Sequence, residues 1–164
     1  MSKERYQKRI DKIRKSEKLC KFIYILYTVL PFLMFIAYPT MIIVKLFSGI
    51  DLKLLLMILI PAATLLIVTF MRKIIDRQRP YEKFDTPSLF KRSGEGESFP
   101  SRHTASAFIL AMCGFALSPY LASTLLLIAA VIAFTRVIAG VHYFTDVLAG
   151  ALLSILAGMV FIFI

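Results

Sequence analysis

The sequence contains no tryptophan, only two cysteines and only two histidines among 164 residues. Without tryptophan, any aromatic belt at a membrane interface must consist mainly of tyrosine. The cysteines, Cys20 and Cys113, lie in a basic stretch and an apolar stretch, and their spacing fits neither a disulfide framework nor a metal site. We therefore predict two free thiols, no metal centre and no cofactor.

Acidic residues are also scarce, with 10 Asp and Glu against 20 Lys and Arg and a net charge of +10. A basic balance of this size can indicate nucleic-acid binding. Here, however, the cations flank apolar segments and do not alternate with aromatic residues on a soluble face. We predict no nucleic-acid partner, and we expect membrane lipids, anionic ones in particular, to be the partners of the positive charge.

What the sequence has in abundance is apolar residues, which make up 59% of the chain and give a mean hydropathy of +0.77. A helix needs about 20 apolar residues to cross a bilayer. The composition predicts an all-α, polytopic membrane helical bundle of about five transmembrane helices, forming a single domain over residues 1–164. The predicted apolar segments are Phe22–Val44, Leu54–Met71, Thr104–Leu117, Tyr120–Phe134 and His142–Ile164.

Smaller sequence features refine this plan. Pro31 and Pro39 are expected to kink the first segment, which membrane helices tolerate. The last three segments have short connections, so they should be antiparallel neighbours. The final segment carries small residues that allow close helix packing, namely Ala149, Gly150, Ala151, Ala157 and Gly158.

Two polar regions interrupt the apolar pattern. Residues 1–21 carry nine Lys and Arg against three acids, with Tyr6, Ile10 and Ile13 at helical spacing. This pattern predicts an amphipathic leader on the membrane surface, although a merely solvated helix fits almost as well. Residues 72–103 hold eight Lys and Arg, and they predict a polar loop that is long enough to be functional.

The most informative polar stretch is Thr135–Asp146, which contains Arg136 and His142 at the edge of apolar sequence. If the chain is helical from His142 onward, Asp146 stands one turn away and its carboxylate reaches one imidazole nitrogen. The other nitrogen is then available for chemistry. Taken alone, the pair fits a chance polar contact at a helix end equally well.

Two further polar stretches supply cations and a second histidine. Arg72 and Arg79 are seven residues apart and would share a helical face, and guanidinium groups bind phosphate oxygens well. Ser101, Arg102 and His103 precede a predicted helix whose first N–H groups can bind an anion. Each stretch also has a purely structural explanation. Arg72, Lys73 and Arg79 fit a positively charged helix end, and Ser101 or Thr104 fits a helix N-cap.

Together the three stretches resemble the signature motifs of the phosphatidic acid phosphatase type 2 family. Arg79 and Pro80 match the end of the first motif, and Pro100, Ser101 and His103 match the second. The third motif is matched at its spacing by Arg136, His142 and Asp146. The sequence departs from the family pattern at three positions: Arg72 stands for a lysine, Arg102 for a glycine and Thr135 for a serine.

The resemblance implies a metal-independent lipid phosphate phosphatase with catalytic His142, His103 and Asp146. By this resemblance His142, oriented by Asp146, would attack phosphorus and form a phosphohistidine, and His103 would act as acid and then base. The residues alone would also allow the reverse roles for the two histidines. Phosphate oxygens would be bound by cations and a hydroxyl, namely Arg79, Arg136, Arg72 or its neighbour Lys73, Ser101 and Arg102. Phosphatidic acid, phosphatidylglycerol phosphate and a polyprenyl pyrophosphate remain open as substrates.

Two other functions remain open at this point. A non-catalytic membrane protein that binds anionic lipid would need the cations but not two histidines and Asp146. The vanadium haloperoxidases resemble the family in their anion site, but they are larger and soluble. The positive-inside rule predicts an active site that faces the cytoplasm, because most of the cations lie in residues 1–21 and 72–103. Many bacterial relatives face outward, so the resemblance opposes this orientation.

Overall fold

The computed structural model describes residues 2–90 and 95–163, and within them helix is the only regular secondary structure. Residues 91–94 of the predicted polar loop lie outside the described residues. The longer helices are α1 (Lys3–Arg14), α2 (Glu17–Phe47), α3 (Leu52–Ile75), α5 (Arg102–Cys113), α6 (Pro119–Ile138) and α7 (Phe144–Gly158). The short elements are α4 (Pro80–Lys83), a 3-10 turn (Gly114–Ala116) and α8 (Val160–Phe163).

Four helices in the described part of the chain are long and apolar enough to cross a membrane: α2, α3, α6, and α7 with α8. Helix α5 forms where the third apolar segment was predicted, but its 12 residues extend over only about 18 Å. It packs against α3, α6 and α7. The prediction of an all-α, multi-pass membrane bundle is confirmed, and of the five predicted segments the third falls short of spanning length.

Helix α1 is the predicted leader, and its packing differs from the prediction. The side chains of Tyr6, Ile10 and Ile13 are buried in the protein, with exposed fractions of 0%, 0% and 8%. They form an apolar cluster with Ala139 and Val141 of the connection between α6 and α7. The expectation that this apolar stripe lies on the membrane surface is therefore wrong, because the protein itself covers it.

Close packing of α7 on α5 confirms the expected role of small residues. A Cβ atom added to Gly150 would lie 2.8 Å from the backbone oxygen of Ser101 and 3.3 Å from the nitrogen of Ala105. Ser154, one turn further along α7, donates a hydrogen bond to the Ala105 carbonyl at 2.8 Å. This contact brings the start of α5 against the first turns of α7, where the candidate catalytic residues lie.

Candidate active site

His142 and Asp146 are adjacent, but for a different reason from the one predicted. Helix α7 begins at Phe144, so the premise that the helix starts at His142 is wrong. Tyr143 occupies the N-cap, and its backbone N–H donates to Asp146 Oδ2 at 2.9 Å in a capping box. The capping carboxylate then lies 3.5 Å from His142 Nδ1. A helix cap, and not helical spacing, therefore forms the pair.

Two residues that the sequence analysis did not identify, Ser98 and Arg77, hold the carboxylate of this pair in place. Ser98 is fully buried, donates to Asp146 Oδ2 and lies 3.4 Å from His142 Nδ1. Arg77 donates to the other carboxylate oxygen, Oδ1, at 2.7 Å and stacks on the Tyr143 ring at 4.1 Å. Both oxygens of Asp146 are thus held, so the carboxylate has a fixed orientation toward the imidazole. In sequence, Ser98 looks like one more polar residue of a Ser- and Glu-rich run.

Arg72 and Arg79 both hold the segment from Gly96 to Pro100. Arg72 donates to the Pro100 carbonyl at 3.1 Å and pairs with Glu97 at 3.5 Å, and Arg79 donates to the Gly96 carbonyl at 3.0 Å. The prediction that they share one helical face is wrong, because α3 ends at Ile75 and Asp76 adopts a left-handed conformation. A folded loop, and not a helix surface, brings the two guanidinium groups to the same segment.

The structure also separates Arg72 from Lys73. Arg72 is 4% exposed, and its buried Nε has no hydrogen-bond partner among the described residues. Lys73, the alternative candidate for the same motif position, is exposed. Neighbouring helix positions point in different directions, and of these two residues it is Arg72 that contacts the Gly96–Pro100 segment.

Ser101, Arg102 and His103 lie at the start of α5, as predicted. Ser101 is the N-cap residue and fully buried, and its backbone N–H donates to the Asp146 carbonyl at 2.9 Å. Thr104 donates to the Ser101 hydroxyl at 3.1 Å. A helix N-terminus of this kind favours an anion, so the second motif presents its donors beside the His142 and Asp146 pair.

The two histidines border different cavities. Arg102 is exposed and His103 half-buried, and both line a cavity of about 400 Å³ together with apolar residues of α2, α3, α5 and α6. His142 is 3% exposed and borders a second cavity of about 330 Å³, which Arg9, Arg77 and Tyr143 also line. His103 therefore faces an apolar space, whereas His142 is set among polar and charged groups.

Arg136, the remaining candidate of the third motif, is 2% exposed and contacts α2. It donates to the Tyr27 carbonyl at 3.0 Å, and its guanidinium lies 3.8 Å from the centre of the Tyr27 ring. Its own carbonyl accepts hydrogen bonds from the backbone N–H groups of Val141 and His142 at 3.2 and 3.3 Å. Arg136 therefore ties the turn that carries His142 to both α6 and α2.

Burial lowers the pKa of His142 below its ordinary value of 6.5. The hydrogen bond with Asp146 opposes this shift, and the positive charges of Arg79 and Arg72 add to it. The net result favours a neutral imidazole, which is the form that carries a nucleophilic lone pair.

The comparison with protein families agrees with the motifs. The model of the PAP2 superfamily matches residues 52–164. The chain belongs to the PAP2 superfamily. The match contains all three motifs and leaves α1 and α2 outside, and no curated protein matches the chain.

Solved structures give the same answer. The solved structure of LpxE from Aquifex aeolicus has 28% sequence identity to this chain. Its TM-score is 0.69, and the match covers 91% of this chain and 88% of that one. A PAP2-type phosphatidylglycerolphosphate phosphatase from Bacillus subtilis shares the fold at 23% identity, with a TM-score of 0.73 over 97% of this chain and 82% of that one. With the family match, these neighbours show that the chain has the fold of PAP2-type membrane proteins.

Proposed function

We propose that this PAP2 protein is a membrane lipid phosphate phosphatase, a metal-independent phosphoric ester hydrolase that transfers the phosphoryl group of its lipid to His142 and then to water. The observation that carries this proposal is the environment of the imidazole. Nδ1 lies against Ser98 and Asp146, so Nε2 is the nitrogen left for attack on phosphorus. A fixed, neutral and buried imidazole has the properties that a nucleophile needs.

The proposed reaction has two steps that balance in protons and bonds. In the first, Nε2 of His142 bonds to phosphorus while the bond to the lipid oxygen breaks, and protonated His103 gives its proton to that oxygen. In the second, neutral His103 takes a proton from water as the water oxygen attacks phosphorus. The bond to His142 breaks, phosphate leaves, and His103 is protonated again.

The phosphoryl oxygens are assigned to the cations around the Gly96–Pro100 segment. Arg72 and Arg79 already lie there, and the buried Nε of Arg72 is a donor that a phosphate oxygen can use. We place Arg136, Ser101 and Arg102 around the same group, as the family motifs imply. Charge that spreads over the phosphoryl oxygens in the transition state is stabilised by such prearranged donors.

The cavity beside His103 supports a lipid as the substrate. Apolar side chains of α2, α3, α5 and α6 line most of it, including Phe35, Leu65 and Leu110, while Arg102 and His103 are among its polar residues. This arrangement suits a molecule with a phosphate at one end and hydrocarbon at the other. Phosphatidic acid, phosphatidylglycerol phosphate and polyprenyl pyrophosphate all have this form.

The experiment that tests this function is phosphate release from those three lipids by purified protein in detergent, with and without chelator. We expect turnover that persists in chelator and is inhibited by vanadate, because vanadate adopts the five-coordinate geometry of the transition state. A non-catalytic lipid-binding protein would release no phosphate, and a haloperoxidase would instead oxidise halide with peroxide. Activity lost in chelator and restored by a divalent ion would contradict the metal-free reaction.

We also propose that the site faces the cytoplasm. Nine cations in residues 1–21 favour that side, and α1 packs against the turn that carries His142, so the leader and the site share one face. Single cysteines at Ser2 and Ser93, in a background without Cys20 and Cys113, can be treated with a membrane-impermeant thiol reagent in intact cells. We expect labelling only after lysis, and labelling of both before lysis would reverse the orientation.

A further inference from the structure

Helix α1 lies outside the residues that match the family model, yet it contacts the turn that carries His142. The hydroxyl of Tyr6 donates a hydrogen bond to the carbonyl of Gly140 at 3.1 Å. Gly140 is two residues before His142, and the bond joins positions 134 residues apart in sequence. The contact therefore links the N-terminal helix to the catalytic turn.

The turn has a backbone that depends on this glycine. Gly140 has a φ of +74°, its N–H donates to the Val137 carbonyl at 3.1 Å, and the N–H of Val141 donates to the Arg136 carbonyl at 3.2 Å. These are the two hydrogen bonds of a Schellman motif, with glycine in the left-handed position after the helix. His142 follows Val141, so the orientation of the Gly140–Val141 peptide sets the position from which the imidazole side chain extends.

Tyr6 is packed tightly at this point. Its side chain is completely buried, and a Cβ atom on Gly140 would lie 2.5 Å from the Tyr6 hydroxyl oxygen. The ring also packs against Phe84, with 5.4 Å between ring centres. Burial raises the pKa of Tyr6 to about 12, so the hydroxyl keeps its proton and remains a donor at neutral pH.

Further anchors hold α1 in place. Ser2 caps its first turn, and Arg14 in its last turn donates to the Ser88 carbonyl at 2.8 Å. The backbone N–H of Leu89 donates in turn to the Ala139 carbonyl at 2.9 Å. The C-terminal end of α1 is therefore held against the segment that bonds to Ala139, next to Gly140.

We propose that Tyr6 is a positioning residue, which holds the Gly140–His142 turn so that the imidazole stays against Ser98 and Asp146. This inference rests on the proposed function, because it assumes that His142 is the reacting group. It gives α1 a role in the reaction as well as in the fold. Since Tyr6 touches the turn and not the phosphate site, it should act on the rate of the chemical step and leave lipid binding unchanged.

The test is Tyr6→Phe, which removes the hydroxyl and keeps the buried ring. We expect kcat to fall roughly five- to tenfold, the effect of one lost hydrogen bond, with KM within about twofold. The matched control is Tyr120→Phe, because Tyr120 is 87% exposed at the start of α6, and it should leave kcat and KM unchanged. Full kcat in Tyr6→Phe would overturn the proposal.

A second measurement separates positioning from a general loss of folded protein. The imidazole of His142 is faced by Asp146, Arg79 and Arg72, and Arg9, Arg77 and Tyr143 share its cavity. With only two histidines in the chain, NMR can follow the titration of each in detergent. A looser turn changes both the burial of His142 and its contact with Asp146, so the midpoint of the His142 titration should shift in Tyr6→Phe.

The outcomes distinguish this proposal from the proposed function. A fall in kcat with an unchanged His142 titration would show that Tyr6 serves stability alone and would overturn positioning. His142→Ala belongs in the same series: if it is inactive while Tyr6→Phe behaves as wild type, only the inference about Tyr6 fails. If His142→Ala remains active, the proposed nucleophile fails as well.

Discussion

The two histidines occupy contrasting environments. His142 is almost completely buried, with Ser98 and Asp146 against its ring. His103 is half-buried and borders an apolar cavity beside the exposed Arg102. The difference suits two different tasks, because a nucleophile must be fixed and neutral, whereas an acid and base must meet the lipid oxygen and water. The expected effects of substitution follow from this contrast.

We expect the largest loss of kcat from substitutions of the buried His142 and Asp146. His142→Ala should lower kcat at least about a thousandfold, since the group that forms the bond is gone. Asp146→Asn should lower it about a hundredfold or more, because the amide cannot orient the imidazole in the same way. Lipid binding should survive in both, which equilibrium binding of a lipid phosphate in detergent can check. Near wild-type turnover by His142→Ala would remove the basis for calling it the nucleophile.

Substitution of Arg72 should give the next largest loss of activity, and the neighbouring Lys73 provides the comparison. Arg72→Ala removes a buried guanidinium at the Gly96–Pro100 segment, and we expect a fall of about a hundredfold in kcat/KM. Lys73→Ala is the matched control, because Lys73 is exposed, and its activity should stay within about twofold. Equal losses in the two variants would show that the motif position is shared and that the burial of Arg72 does not decide its role.

Ser98→Ala should have a smaller effect on the same pair. The substitution removes the hydroxyl that donates to Asp146 and lies near Nδ1 of His142, but Arg77 and the backbone N–H of Tyr143 still hold the carboxylate. We expect kcat to fall about tenfold, the effect of one hydrogen bond to a charged group. Steady-state kinetics on one lipid phosphate would measure this, and a loss as large as that of Asp146→Asn would instead make Ser98 part of the reacting centre.

The smallest predicted difference is in the protonation of His142 between the folded and the unfolded protein. Because burial lowers the pKa of His142, its imidazole should remain neutral below pH 6.5, and its NMR titration should have a midpoint below that value. The unfolded chain would take up this proton first as the pH falls, so stability should decrease through the same range. In the unfolded protein the midpoint should return to about 6.5. A folded-state midpoint above 6.5 would contradict the effect assigned to burial.

The sequence predicted the helices because they depend on local patterns, and its motifs supplied most of the candidate site residues. Apolar runs located α2, α3, α6 and α7, and motif spacing located His103, His142 and Asp146. The end of α3 was missed because the residues after Ile75 continue a helical pattern. The left-handed Asp76 that ends it accepts a hydrogen bond from Glu97, which lies 21 positions away.

Long-range contacts also explain the other differences. Ser98 is a polar residue in charged surroundings, and nothing nearby in sequence indicates that it is buried. For Tyr6 the apolar stripe indicates a covered face but not the bond to Gly140. Asp146 lies 48 residues from Ser98, and Gly140 lies 134 residues from Tyr6. The apolar stripe of α1 has the spacing of a membrane-surface helix, and only the folded protein shows that Ala139 and Val141 cover it.

The most direct test of the central claim is to trap the phosphoryl group on His142. In His103→Ala, p-nitrophenyl phosphate needs little help from an acid because its leaving group is good, but the second step lacks its base. We predict a burst of nitrophenolate and a phosphohistidine that mass spectrometry locates at His142. No burst in His103→Ala, or a phosphoryl group on any other residue, would contradict the account.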